Sequence, residues 1–147
     1  MRLRLNKYQS KIPFLPAQAL VEFALLLPLL LVLIIGAMDL GRVFYFKIVL
    51  TNAAREGANY LSRNPADRSA GYTKTWDAIR IDGASSGVTI TNGEVDWAGT
   101  NCCTVGSPVV ISINKNVDLI FDGFLNAVGI INGPMTIRSS VSMVVHP

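Results

Sequence analysis

The sequence has few of the residues that carry chemistry. Among 147 residues there are one histidine, His146, and two cysteines, Cys102 and Cys103. A Ser-His-Asp or Cys-His site needs an imidazole base, and the single one here stands next to the last residue. Structural zinc sites use four Cys or His ligands, which these three residues cannot supply. The sequence therefore predicts a protein that is not an enzyme and that holds no metal or cofactor.

Charge is also scarce. Only 16% of the residues are charged and 50% are hydrophobic, and the mean hydropathy is +0.40, which excludes a disordered polyelectrolyte. The net charge of +3 is unevenly placed, because the first sixteen residues contain four cations and no acid, whereas Ala17 onward carries nine cations and ten anions. A basic tail on a near-neutral remainder does not predict a nucleic-acid surface, which clusters cations on one face.

The lowest charge density falls in one segment, Ala19 to Met38, where Glu22 is the single charged residue. Twenty helical residues cover roughly 30 Å, the thickness of a bilayer's hydrocarbon core. A removed secretory signal would end in small-x-small residues, whereas Gly36-Ala37 here follows large aliphatic residues. We therefore expect a retained membrane helix, with a removed signal as the alternative. By the positive-inside rule the basic N-terminus is cytoplasmic and the C-terminus lies outside.

The pattern then becomes amphipathic, from Val43 to Arg63, which predicts that the helix continues past the membrane. Asn64-Pro65 is the expected stop, because the residue before proline is biased away from helix. Apolar residues recur at three-to-four spacing: Phe46, Leu50, Ala54, Ala58 and Leu61.

The remainder reads as short elements. A helix is predicted from Tyr72 to Ile81, and Val88 to Trp97 is typical of a hairpin because Asn92-Gly93 suits a two-residue type I′ turn. That turn would place Ile90 opposite Val95 and Val88 opposite Trp97. Apolar residues alternate along 109–121 and again along 135–145, which predicts two strands; residues 122–133 between them are expected to form a loop or short helix.

Together these patterns predict an α+β fold, in which a long N-terminal helix packs on a small antiparallel sheet. The predicted organisation is a basic cytoplasmic leader at 1–17, a transmembrane helix at 18–40, its amphipathic continuation at 41–65 and an extracytoplasmic α+β domain at 66–147. The outer helix should pack on the hairpin through Phe46, Leu50, Ala54 and Leu61, with Val95 and Trp97 on the facing side.

Cys102 and Cys103 allow three interpretations. Consecutive α-carbons lie about 3.8 Å apart, below the usual disulfide range, so a vicinal disulfide is possible but strained. An exterior location permits oxidation. Free or separately buried thiols, or bonds to another chain, are the alternatives.

Glu22 is an acid within an apolar helix, where such residues are expensive and often functional, although it can also snorkel to the headgroups. Its surroundings are Gln18-Ala-Leu-Val-Glu22-Phe23, followed by Asp39-Leu-Gly41-Arg42 and Asn52-Ala-Ala-Arg55-Glu56-Gly57-Ala58. From Ala17 to Ala58 the sequence resembles the TadE-like family, pseudopilins of tight-adherence pilus machines with a type IV pilin-like N-terminus. The residue before the cleaved bond is usually glycine in this class, and here it is Ala17.

The resemblance implies cleavage by a prepilin peptidase between Ala17 and Gln18, and a part for Glu22 and Phe23 in subunit assembly. It also implies partners: an inner-membrane assembly platform, an assembly ATPase acting indirectly, other pilins or pseudopilins, and membrane lipid. The expected function is that of a minor pseudopilin-like subunit in the inner membrane that enters or initiates a fibre. The alternative is a single-pass membrane protein whose outer domain binds a ligand or envelope component without entering a fibre.

Overall fold

A computed structural model describes residues 15–97, 104–127, 129 and 134–147, without the side chains of 15–17, 124, 125 and 127. Cys102 and Cys103 lie outside the described residues, so their pairing stays a prediction. The chain forms two compact units, residues 1–35 and residues 36–147. The proposed boundaries of the leader, membrane segment and exterior domain likewise remain predictions.

One helix, α1, runs from Leu15 to Arg63. In residues 20–34 its large apolar side chains are exposed, as expected of a segment whose surroundings are lipid rather than protein. The helix ends directly before Asn64, and Pro65–Arg68 form a 3₁₀ turn with proline at its start. The predicted stop at Asn64-Pro65 is confirmed.

A three-stranded antiparallel sheet forms in the order β1 (Val95–Asp96), β2 (Pro108–Val117) and β3 (Met135–Val144). The long β2–β3 ladder pairs Pro108 with Val144 at one end and Val117 with Met135 at the other. Val109, Ile111 and Ile113 are fully buried on one face, which confirms the predicted alternation in this part of the strand. The strand ends at Val117, so its predicted continuation to Phe121 is wrong. The opposite face is polar, and there the Ser112 hydroxyl donates to Ser140 Oγ at 2.9 Å.

The predicted Asn92-Gly93 hairpin is wrong. Asn92–Glu94 form a 3₁₀ turn instead, and Val95 pairs with Ile113 of β2 rather than with Ile90. The local reason is a capping box: the Thr91 N–H donates to Glu94 Oε2 at 2.8 Å while the Thr91 side chain accepts from the Glu94 backbone. Thr91 and Glu94 thus stabilise a 3₁₀ turn in place of a hairpin turn, and β1 pairs with β2 instead.

The core of residues 36–147 lies between α1 and the sheet. Leu50, Ala54 and Leu61 are fully buried in one cluster with Val95, and Phe46 and Trp97 pack against it half-buried. The predicted apolar face of the outer helix is therefore buried in the core that includes Val95 and that Trp97 packs against. Most of the buried side chains from the sheet come from β2 and β3, because the predicted hairpin does not form. The arrangement is α+β, as predicted.

Two short helices complete the described structure. Helix α2 (Thr73–Ser85) includes most of the predicted 72–81 segment and buries Ile79. Helix α3 (Asp122–Ala127) falls in the segment expected to be a loop or short helix.

Candidate functional site

The first turns of α1 carry the predicted processing and assembly residues. Gln18 Nε2 donates to Glu22 Oε1 at 3.1 Å, because residues four apart lie one above the other on a helix. Phe23 is exposed. The structure thus brings Glu22 and Gln18 into contact within one chain, whereas the roles of Ala17, Gln18, Glu22 and Phe23 in cleavage or assembly stay predictions.

Asp39 is the buried acid of residues 36–147 that joins α1 to the segment after β2. It is 6% exposed, and its two carboxylate oxygens accept the backbone N–H groups of Ile120 and Phe121, each at 2.8 Å. A carboxylate binding two consecutive amides is a strong, charge-assisted arrangement. Asp39 of the Asp-Leu-Gly-Arg sequence therefore fixes the 119–121 segment against the helix.

The Asn52–Ala58 sequence divides into a packed side and an exposed side. Gly57 and Ala58 are buried, whereas Asn52, Arg55 and Glu56 are exposed. A Cβ on Gly57 would lie 2.5 Å from Ile79 Cγ1, so only glycine allows α2 to approach α1 this closely. The glycine is thus explained by packing, and Asn52, Arg55 and Glu56 lie on the side of α1 away from the core.

Asp67 caps the start of α2. It is 8% exposed and accepts from the Thr75 N–H at 2.8 Å and the Thr75 hydroxyl at 2.6 Å. Burial raises the pKa of the Asp67 carboxyl, but the hydrogen bonds from Thr75, Lys74 and Thr73 together outweigh it, so the pKa lies below its ordinary value. The charged form is therefore the one that holds the helix end in place.

Glu94 ties the 3₁₀ turn to β2. Lys115 Nζ lies 2.9 Å from Glu94 Oε1 and also donates to the Thr89 carbonyl at 2.8 Å. Burial raises the pKa of Glu94, while the Thr91 backbone N–H and the Lys115 ammonium lower it, with a net decrease. This ion pair stands where the hairpin was expected.

Sequence reasoning missed the structural roles of Asp39, Asp67 and Glu94. A readable signal existed for one of them, since Thr91-x-x-Glu94 is a capping-box pattern. Asp39 depends on contacts with a segment some eighty positions away, and Asp67 depends on how the 3₁₀ turn places it against the start of α2. In the part of the chain that the structure describes, no group of three or more His, Cys, Asp or Glu residues is placed to hold a metal.

Fold and site together define an α+β protein with one N-terminal helix suited to anchor it in a membrane. A helix spanning Gln18–Arg63 meets the length and composition of a membrane span, with a window of mean hydropathy 2.7. The model of the TadE-like protein family matches residues 17–59, which confirms the resemblance over that segment. The match covers less than a third of the chain.

The matched segment holds the Gln18–Phe23, Asp39–Arg42 and Asn52–Ala58 sequences together, and residues 60–147 lie outside it. No curated protein and no solved structure matches the chain.

Proposed function

We propose that this chain is a minor pseudopilin-like subunit of a tight-adherence pilus or related secretion machine, acting in fibre initiation or assembly. The observation that carries the proposal is the TadE-like match at residues 17–59, which coincides with an apolar helix of membrane-spanning length. The protein would sit in the inner membrane with its N-terminus in the cytoplasm and residues 66–147 outside, as the basic tail favours.

Processing is the first step of the proposed role. A prepilin peptidase would cut between Ala17 and Gln18, removing the basic leader and leaving the apolar helix intact. The new α-amino group of Gln18 is largely cationic at neutral pH. The cut places this cation one helical turn from the Glu22 carboxylate, on residues whose side chains already meet in the uncut chain.

Glu22 would then set the register between subunits. When helices pack side by side in a fibre, the Glu22 carboxylate of one subunit can pair with the Gln18 amine of its neighbour. In a low-dielectric bundle, leaving one charge without its partner costs about 3–5 kcal/mol. A stagger that separates the two charges is therefore penalised, and the pair acts as a register mark as well as a contact. The exposed Phe23 ring would pack beside it. The partners proposed are other pilins or pseudopilins and the inner-membrane assembly platform.

The experiment replaces Glu22 and measures assembly separately from membrane insertion. Glu22→Ala should insert and be cleaved normally but give little pilus and little co-purification with partner pilins, at matched membrane levels. Glu22→Asp should recover part of the function, because the charge survives on a shorter arm. Glu56→Ala is the matched control, since Glu56 is an exposed acid on the same helix beyond the apolar run. Normal assembly by Glu22→Ala would show that Glu22 has no role in assembly and only extends its carboxylate to the lipid headgroups.

A further inference from the structure

Residues 36–147 expose an apolar surface at one end. In the described part of this unit, six of the ten exposed large apolar side chains lie on α1 near Asp39, on the 119–121 segment or at the start of β3. We name this surface the apolar collar; its members are Met38, Leu40, Phe44, Tyr45, Ile120 and Met135. Exposed patches of this kind mark interaction sites when they are contiguous.

The collar is held in shape by contacts already described. Asp39 fixes the backbone N–H groups of Ile120 and Phe121, and Val117 at the end of β2 pairs with Met135. A groove of about 580 Å³ lies between α1 and this segment, lined by Met38, Gly41, Arg42, Tyr45, Phe46 and Ile120. The backbone at Ile120 is thus held in place by the buried Asp39 side chain, and the Ile120 side chain is exposed.

The position of the collar along α1, directly after the apolar run, indicates that a lipid surface covers it. The apolar run of the sequence ends at Met38, so the collar begins where the hydrocarbon core would end. Tyr45 lies seven residues further on, which is about 10 Å along a helix. The headgroup layer on each side of a bilayer is roughly 5–8 Å thick, so Leu40 lies within it and Phe44 and Tyr45 lie at or just past its water-side edge. Tyr is one of the residues enriched at membrane–water interfaces.

We propose that the collar rests in the outer headgroup layer of the membrane, with Ile120 inserted among the lipids. The inference goes beyond the proposed pilus role, but it relies on α1 crossing the membrane. The occupant is a lipid surface of low charge, because Asp118 precedes the segment, Asp122 follows it and Arg42 lines the groove beside Ile120. The attraction therefore comes from apolar burial and not from anionic headgroups.

The opposite end of the sheet supplies a matched control. Val105 is 65% exposed and Ile120 is 57% exposed. The adjoining Gly106 N–H donates to the Val145 carbonyl and the His146 N–H donates to the Ser62 carbonyl. Val105 therefore lies near Ser62 of α1, 23 residues beyond Asp39, or about 35 Å along the helix.

The test places a nitroxide label at Ile120→Cys or at Val105→Cys in the full chain, with Cys102→Ser and Cys103→Ser in both, reconstituted in phosphatidylcholine vesicles. Oxygen reports lipid exposure and a water-soluble nickel chelate reports water exposure. At position 120 oxygen access should exceed nickel access, and at position 105 the order should invert. High salt should leave the result at position 120 unchanged.

A second readout keeps the native cysteines. Benzoylphenylalanine at position 120 should crosslink to phosphatidylcholine on illumination, and at position 105 it should not. A membrane-embedded chain whose position 120 is as accessible to nickel as position 105 overturns the inference while leaving the pilus proposal intact. Shielding from both reagents that grows with the protein-to-lipid ratio would show that a second protein covers the collar, which also overturns it. Recovery of the chain outside the vesicles would overturn both proposals.

Discussion

At the scale of single residues, buried acids hold separate elements together through backbone N–H groups. Asp39 binds two amides some eighty positions away, and Asp67 caps α2. Neither role was predictable, because each depends on where a later segment lies. Gly57 was visible as part of a motif, but its reason, the approach of Ile79, required the structure.

Replacing Asp39 with asparagine should loosen the 119–121 segment. The amide keeps one acceptor oxygen and presents an NH₂ group to the second backbone N–H, which leaves a buried donor unsatisfied at about 1–3 kcal/mol. Amide hydrogen exchange of the purified protein should show faster exchange at Ile120 and Phe121. The exposed Asp118→Asn is the control and should leave both rates unchanged; equal protection in Asp39→Asn would contradict the assignment.

Gly57→Ala should destabilise the protein by about 1–3 kcal/mol, because the added methyl meets Ile79 in a packed core. This loss should exceed the gain in helix propensity, which is up to about 1 kcal/mol. Gly41→Ala on the same helix has nothing within 4 Å of the new Cβ, so it should be neutral or stabilising. The denaturant midpoints of Gly57→Ala and Gly41→Ala test this difference in stability. Similar midpoints would show that Ile79 does not approach Gly57 this closely.

Acid should weaken the fold through Asp67. Its pKa is lower in the folded protein, so its contribution is present above the unfolded pKa, about 3.9, and is lost as the pH falls through the folded value. Asp67→Asn should reduce stability at neutral pH and flatten the decline below about pH 4. Denaturant titrations across this range, with the exposed Asp118→Asn as control, test it; an unchanged acid slope in Asp67→Asn counts against this role.

At the scale of elements, periodicity predicted well and turn chemistry did not. The end of α1 and the alternation along β2 follow from patterns that the whole element repeats, and burial in the structure agrees with them. The Asn92-Gly93 turn relied on two residues, and the competing Thr91–Glu94 box with the Lys115 ion pair overrode it. A turn pattern of two residues does not determine the backbone conformation when hydrogen bonds from neighbouring side chains stabilise a different turn.

The buried face of α1 gives a direct element-scale prediction. Leu50 is fully buried, whereas Ile48, two positions earlier, is 60% exposed. Leu50→Asp would bury an unpaired charge against the sheet, which is strongly unfavourable, so the variant should lose cooperative unfolding. Ile48→Asp should retain it. Near-UV circular dichroism during heating distinguishes them, and a Leu50→Asp protein as stable as its parent would show that this face is not the core.

At the scale of the whole molecule, the α+β class and the long apolar helix could be predicted from the sequence, since both follow from hydropathy and periodicity. It also contained the TadE-like segment, which the family match at residues 17–59 confirms. The contacts of Asp39 and the apolar collar around it could not be predicted from the sequence, because they form where α1 meets the segment that follows β2.

The orientation in the membrane, predicted from the basic tail, can be tested with a C-terminal alkaline phosphatase fusion, which should be active. Activity of a cytoplasmic reporter at the same position would instead show that the C-terminus lies in the cytoplasm.

We propose that a prepilin peptidase converts this chain into a mature membrane subunit. N-terminal sequencing of the protein extracted from membranes, in cells with and without the prepilin peptidase, tests it most directly. With the peptidase, the mature chain should begin at Gln18, and without it the basic leader ending in Ala17 should remain attached. Ala17 replaced by a bulky residue should give the longer precursor even when the peptidase is present. A chain that still begins near Met1 in cells with the peptidase would contradict the account.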